Sequence, residues 1–277
     1  MNLSICTISF RHHLHSIDHL ADWAQSNGFT GIELWGIHAK HLADEPSYNA
    51  QWLQSYGLQV SMLSDYFPLE ASSLELTNAV QTLSSLGHRW GTKKLRTFAG
   101  QKASAATSKE ERAYLVKQLR LVCELIHEQG QYVLVETHPN TLTDTLPSTL
   151  QLLEEVNHPA LRVNFDVLHM WESGADPIEA FQVLQPFISH FHFKNITSRD
   201  QLNVFAPQNV YAAAGSREGM VPLFEGAVDY HSFLSIVAPL IDVDASLEWF
   251  GPNVKEVLAS DCKKTTELVR ELTVSAC

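Results

Sequence analysis

Residues 190–194 read HFHFK. In an extended chain successive side chains point to opposite faces, so His190, His192 and Lys194 share one face while Phe191 and Phe193 share the other. The polar set is expected to face the lumen of a barrel. Outward from this run the chain alternates short β-rich stretches with longer amphipathic ones, and the strands expected are 3–8, 31–35, 58–63, 94–98, 132–136, 161–166, 190–194 and 245–249. Three of the amphipathic stretches end in a glycine suited to a left-handed helix C-cap, Gly28, Gly57 and Gly130, and a strand follows each. Eight strand–helix repeats fit a closed (β/α)₈ TIM barrel better than a doubly wound sheet, because no Gly-rich phosphate turn follows the first strand. An open sheet with a small cap is the alternative.

The length of 277 residues suits one such barrel, and no low-complexity segment or Pro/Ser linker divides residues 1–277. With 45% hydrophobic and 18% charged residues the chain can bury a large core and lacks the composition of a disordered protein. Acidic residues number 31 against 19 basic, a net charge of −12. That balance is the wrong footprint for nucleic acid, whose phosphates demand clustered Lys and Arg. No apolar run is long enough to span a membrane, and the start, MNLSICTISFRHH, has no signal-peptide pattern. Cysteines stand alone at 6, 123, 262 and 277, without a CxxC, so a reducing, cytoplasmic location is expected. Residues 195–229 form a connection too long for an ordinary loop, and a lid over the strand ends is expected there.

Barrel enzymes carry their reacting groups at the C-terminal ends of the strands. Glu136, Asp166, His192 and Glu248 all fall there. One strand-end carboxylate is ordinarily a solvated rim residue, but three converging with an imidazole repel one another unless a counter-ion is present. A divalent cation meets that need. Oxygen-rich ligation with a single His favours Mg²⁺ or Mn²⁺, with Co²⁺ or Zn²⁺ able to bind in vitro. His138 lies two residues past Glu136 on the same face, about 6.6 Å nearer the mouth, and reads either as a group that reaches substrate or as a loop histidine bonded to backbone. His169, in DVLH, reads either as a substrate contact or as a helix-start residue. Of the basic side chains near strand ends, Arg96, Lys102 and Lys194, Arg96 is the best carboxylate clamp, since Arg meets planar anions with two parallel bonds. Glu33, Tyr66, Phe205 and Tyr211 are candidate pocket liners. His12, His13 and His15 show no ligand periodicity, and Trp23 and Trp52 read as core.

The quartet of Glu136, Asp166, His192 and Glu248 resembles the ligand set of the xylose-isomerase-like TIM barrels, the sugar isomerase/epimerase and endonuclease IV superfamily. Within it the chain is similar to the bacterial 3-dehydroshikimate dehydratases of petrobactin-type siderophore biosynthesis, through CTISFRH (6–12), GIELWGIHA (31–39), RTFAGQK (96–102), ETHPNTLTDTLPSTL (136–150), WESGADP (171–177), HFHFKNI (190–196), NVYAAAG (209–215), GMVPLFEG (219–226) and SLEWFG (246–251). The resemblance implies conversion of 3-dehydroshikimate to protocatechuate (3,4-dihydroxybenzoate) with loss of water. It implies His138 as the base, Lys194 or protonated His138 as the donor to the leaving hydroxyl, and Arg96 with Tyr66 on the substrate carboxylate. A keto-sugar isomerase, an epimerase or an inosose dehydratase is the alternative within the superfamily, and a homodimer is left open.

Overall fold

In the computed structural model, which describes residues 1–275, eight parallel strands close into a barrel. In chain order the strands are β1 (Leu3–Cys6), β2 (Gly31–Trp35), β3 (Gln59–Ser64), β4 (Lys94–Thr97), β5 (Tyr132–Glu136), β6 (Leu161–Asp166), β7 (Ile188–Phe193), β8 (Asn195–Ile196), β9 (Met220–Val221) and β10 (Asp244–Leu247). The barrel order is β1-β10-β7-β6-β5-β4-β3-β2, while β8 and β9 pair antiparallel as a separate ribbon. The expected (β/α)₈ barrel is therefore present, with several strand ends moved by one or two residues. The first strand stops at Cys6, because Thr7–Phe10 tightens into a 3₁₀ turn. The last runs Asp244–Leu247, so Glu248 stands one residue beyond it, although its N–H still bonds the Phe193 carbonyl at 3.0 Å. Cys277 lies outside the described residues.

Local chemistry explains where the elements begin and end. Ser72 with Glu75 and Ser108 with Glu111 form capping boxes that start the helices Ser73–Arg89 and Lys109–Glu128. Gly28, Gly57 and Gly130 all carry the positive φ expected of helix-ending glycines. Alternation along β7 holds as read. Phe191 and Phe193 point outward, where their rings pack around Phe233 at 6.0 and 6.3 Å, with Phe165 and Phe181 beside them. Burying each such ring contributes about 3 kcal/mol. His190 and His192 point inward, and both are fully buried. A register shift between Val163 and Asn164 sets Asp166 directly opposite His192.

The connection 195–229 folds back over the barrel mouth through the ribbon, the 3₁₀ segment Arg199–Phe205 and the helix Pro207–Val210. Two guanidiniums fasten it there. Arg11 donates from Nε to the Val210 carbonyl and from Nη1 to that of Ile8, at 3.0 Å. Arg217 donates to the carbonyls of Phe250, Asn209 and Ala212 at 2.7, 2.6 and 2.9 Å. Among the described residues no helix is long and apolar enough to cross a membrane.

Candidate active site

Four strands deliver the expected quartet to one place. Glu136 ends β5, Asp166 ends β6, His192 lies on β7 and Glu248 follows β10. The Nδ1 atom of His192 sits 3.5 Å from Glu136 Oε1, 3.7 Å from Glu248 Oε1 and 3.9 Å from Asp166 Oδ2, yet it makes no hydrogen bond. Asp166 Oδ2 and Glu136 Oε2 are buried as well, each taken up in an ion pair with a cation of the chain, Lys194 and Arg96 respectively. Buried polar atoms are almost always paired, so a bare imidazole nitrogen facing three carboxylates marks a place for something the chain does not supply. With two ligand bonds of about 2.1 Å each, one hard cation bridges gaps of this size. Charge agrees with geometry. Four buried carboxylates, Glu33, Glu136, Asp166 and Glu248, face two buried cations, Arg96 and Lys194, which leaves room for two positive charges.

Those two cations are tightly engaged. Lys194 places Nζ 2.6 Å from Asp166 Oδ2 and 2.7 Å from Glu248 Oε2. Burial alone would pull its pKa down, but Asp166 and Glu248 carry it well above the ordinary lysine range, so the ammonium keeps its proton. Arg96 Nε lies 3.1 Å from Glu136 Oε2, and its guanidinium is packed between the rings of Tyr66 and Phe98, with centroids at 5.1 and 5.0 Å. Its Nη1 is buried with no hydrogen bond. Burial would raise the pKa of Glu136, but Arg96 and His192 hold it well below the usual carboxylate range.

His138 lies beside the cluster with a defined tautomer. Its Nδ1 is 2.8 Å from the Pro139 carbonyl, and because a carbonyl only accepts, Nδ1 carries the hydrogen and Nε2 is left as the basic lone pair. The ring stacks on Phe98 at 4.2 Å and meets His169 edge-on at 4.5 Å. Burial, with His169 nearby, pushes its pKa down to about 3, so the imidazole is neutral at physiological pH. Ring nitrogens of His138 and His169 and an oxygen of Glu136 lie within 4.8 Å of one another. His169 is buried, with Nδ1 2.7 Å from Glu172 Oε2 and its backbone N–H on Asp166 Oδ1.

The other expected residues divide. Phe205 closes over the cluster, its ring 5.5 Å from Lys194 Nζ and 6.1 Å from the His169 ring. Tyr211 comes from the same connection, bonds its hydroxyl to that of Tyr66 at 3.0 Å and stacks on Trp35. A cavity of about 550 Å³ opens next to the cluster, bounded by Tyr66, Phe98, Gln101, His138, Asn140 and Tyr211, with His138 as the wall between the two. Two placements correct the sequence reading. Lys102 does not turn inward but is half-exposed and pairs with Glu111 at 3.0 Å, because it sits on the outer loop that starts the next helix. Glu33 does not line the cavity. It is fully buried beneath the imidazole of His192, 2.8 Å from Nε2, and accepts the Ser64 hydroxyl. Arg11 escapes the sequence reading, since it follows the first strand within an unforeseen 3₁₀ turn. It packs on Phe250 and keeps a buried Nη2 without a hydrogen bond. Its one signal was a lone Arg close behind a barrel strand.

Relatives share this architecture. The chain is 50% identical over 283 aligned residues to the 3-dehydroshikimate dehydratase of Bacillus anthracis, covering 99% of this chain and all of the relative. It superposes with a TM-score of 0.92 and 51% identity on the crystal structure of the probable 3-DHS dehydratase AsbF involved in petrobactin synthesis from the same organism, covering 96% of this chain and 99% of that one. L-ribulose 3-epimerase shares the fold at a TM-score of 0.72 and 15% identity, covering 100% of this chain and 97% of that one. Residues 21–271 match the xylose isomerase-like TIM barrel family, and the chain belongs to that family.

Proposed function

We propose that this chain is a divalent-metal-dependent 3-dehydroshikimate dehydratase that releases 3,4-dihydroxybenzoate and water. The observation that carries the chemistry is the bare Nδ1 of His192 facing one oxygen each of Glu136, Asp166 and Glu248 at 3.5–3.9 Å. The substrate assignment is supported by half-identity along the whole chain to a dehydratase of that name. The same relative's link to petrobactin synthesis supports a place for the product in siderophore assembly.

Glu136, Asp166, His192 and Glu248 would hold the cation, and its oxygen-rich set with one imidazole favours Mn²⁺ or Mg²⁺. When bound, a divalent cation supplies Lewis-acid polarisation of the substrate's ring ketone, worth several kcal/mol. Everything else falls to side chains. Arg96, through its uncommitted Nη1, and the Tyr66 hydroxyl receive the ring carboxylate. The lone pair on His138 Nε2 takes the proton from the carbon next to the ketone, a role worth about 10²–10⁴-fold in rate. Lys194, held protonated between Asp166 and Glu248, donates to the departing β-hydroxyl, which leaves as water. Neutral His138 suits the base and not the acid, so the two proton transfers divide between two residues. Tautomerisation then moves a second ring proton to the former ketone oxygen and gives the aromatic product, which makes the sequence strongly downhill. Phe205 and Tyr211 shut bulk water from these steps.

Protein stripped with a chelator should give no product from 3-dehydroshikimate, and Mn²⁺ or Mg²⁺ should restore the catechol absorbance. Glu136→Gln should lose metal and turnover together. Absence of product with every divalent metal tried would overturn the proposal. So would an Arg96→Ala variant whose Michaelis constant is unchanged, which points instead to a neutral polyol substrate.

A further inference from the structure

An imidazole offers a metal only the nitrogen that lacks a hydrogen, and something must decide which nitrogen that is. In this chain the deciding contact runs across the lumen. Glu33 is on β2 and His192 on β7, strands that are not neighbours in the barrel and contribute residues 159 positions apart. Glu33 Oε2 lies 2.8 Å from His192 Nε2, and the other carboxylate oxygen accepts the hydroxyl of Ser64 from β3. Both residues are fully buried. A carboxylate that already takes the Ser64 hydroxyl on one oxygen presents an acceptor to Nε2 with the other, so Nε2 supplies the hydrogen.

We propose that Glu33 is a positioning residue that locks His192 in the Nε2–H tautomer and fixes its ring plane, keeping the Nδ1 lone pair on the point where Glu136, Asp166 and Glu248 converge. In the opposite tautomer an N–H would face those three carboxylates, form a hydrogen bond with one of them and leave no donor for a cation. Behind this contact His190 buttresses the same carboxylate, with Nε2 3.5 Å from Glu33 Oε2 and 2.7 Å from Ser246 Oγ. The carboxylate is thus clamped by Ser64, His192 and His190 and has no freedom to reach the cavity, which explains why it does not act on substrate directly.

The proposal rests on the metal-dependent reading, and one set of measurements separates the two. Calorimetric titration of the wild type with Mn²⁺ should show one site. Glu33→Gln, whose amide can present either a donor or an acceptor to Nε2, should bind 10–100-fold more weakly and regain much of its turnover at saturating Mn²⁺. ¹⁵N histidine spectra of the Mg²⁺-loaded wild type should show His192 with a protonated Nε2, a readout that needs no variant. Unchanged Mn²⁺ affinity in folded Glu33→Gln, a protonated Nδ1 in the loaded wild type, or a second ion held by Glu33, His190 and His192 would each overturn the role given to Glu33. A wild type that binds no Mn²⁺ would instead sink the metal-dependent reading itself.

Discussion

The floor and the mouth of this barrel are both lined with charge, and they are built to different ends. At the floor Lys94 pairs with Asp244 at 2.7 Å, and Asn2 donates to the other Asp244 oxygen at 3.1 Å. In this pair each charge has its opposite within the chain. At the mouth four carboxylates meet two cations, and Nδ1 of His192 and Nη1 of Arg96 have no hydrogen bond. A fold spends stability to bury such atoms unpaired. The contrast teaches that the Lys94–Asp244 pair is complete as polypeptide, whereas the mouth keeps groups free for the cation and anionic substrate proposed above.

The contrast breaks most visibly at His138. Replacing it with Ala should cost 10²–10⁴-fold in kcat while Mn²⁺ affinity stays near wild type, because its ring nitrogens are not among the four proposed donors. Steady-state rates and calorimetry on the same preparation check this, and near-normal turnover would remove His138 as the base.

A smaller effect is expected in the metal linkage. Burial would depress the pKa of His192, but Glu33, Glu248 and Glu136 together carry it well above the ordinary histidine value. Without a cation the imidazole therefore holds a proton at neutral pH, and that proton must leave when the ion binds. Affinity should fall about tenfold for each pH unit below that raised pKa, with about one proton released per Mn²⁺. Titrations in buffers of different ionisation enthalpy measure the release, and pH-independent binding would count against the donor set. The sign is opposite to that of the floor. Burial would raise the pKa of Asp244, but Lys94 lowers it, so the pair's contribution is present above the unfolded carboxylate pKa and is lost as pH falls through the native one.

The smallest effect belongs to the floor pair itself. Lys94→Met leaves Asp244 unpaired and should lower stability by about 1–3 kcal/mol, discounted for the partial exposure of both groups. Adding Asp244→Leu should recover most of that loss. Chemical denaturation gives the stability change. Neither variant should alter Mn²⁺ affinity, and a metal defect in Lys94→Met would erase the division between the two ends.

Much of the mouth was legible in advance because strand parity is a local property. His192 faces inward because Phe191 and Phe193 face outward, and Glu136 and Asp166 stand where their strands run out, so three of the four donors follow from alternation and strand ends alone. Glu248 was placed correctly in space although it stands one residue beyond its strand. Lys102 was misread because proximity in sequence to a strand end does not say which way a loop turns. Arg11 was missed because the 3₁₀ turn after β1 redirects the chain toward the connection 195–229.

From the sequence alone came the repeat of strand and helix, the inward and outward faces of each strand, the helix-ending glycines and the excess of acid at the strand ends, since all of these depend on residues a few positions apart. Only the tertiary structure decided the pairings: Arg96 with Glu136, Lys194 shared by Asp166 and Glu248, and Glu33 beneath His192. Those contacts depend on barrel closure and on the register shift between β6 and β7. Closure brings distant strands to within hydrogen-bonding distance across the lumen, and no local pattern encodes which of the inward groups will meet there.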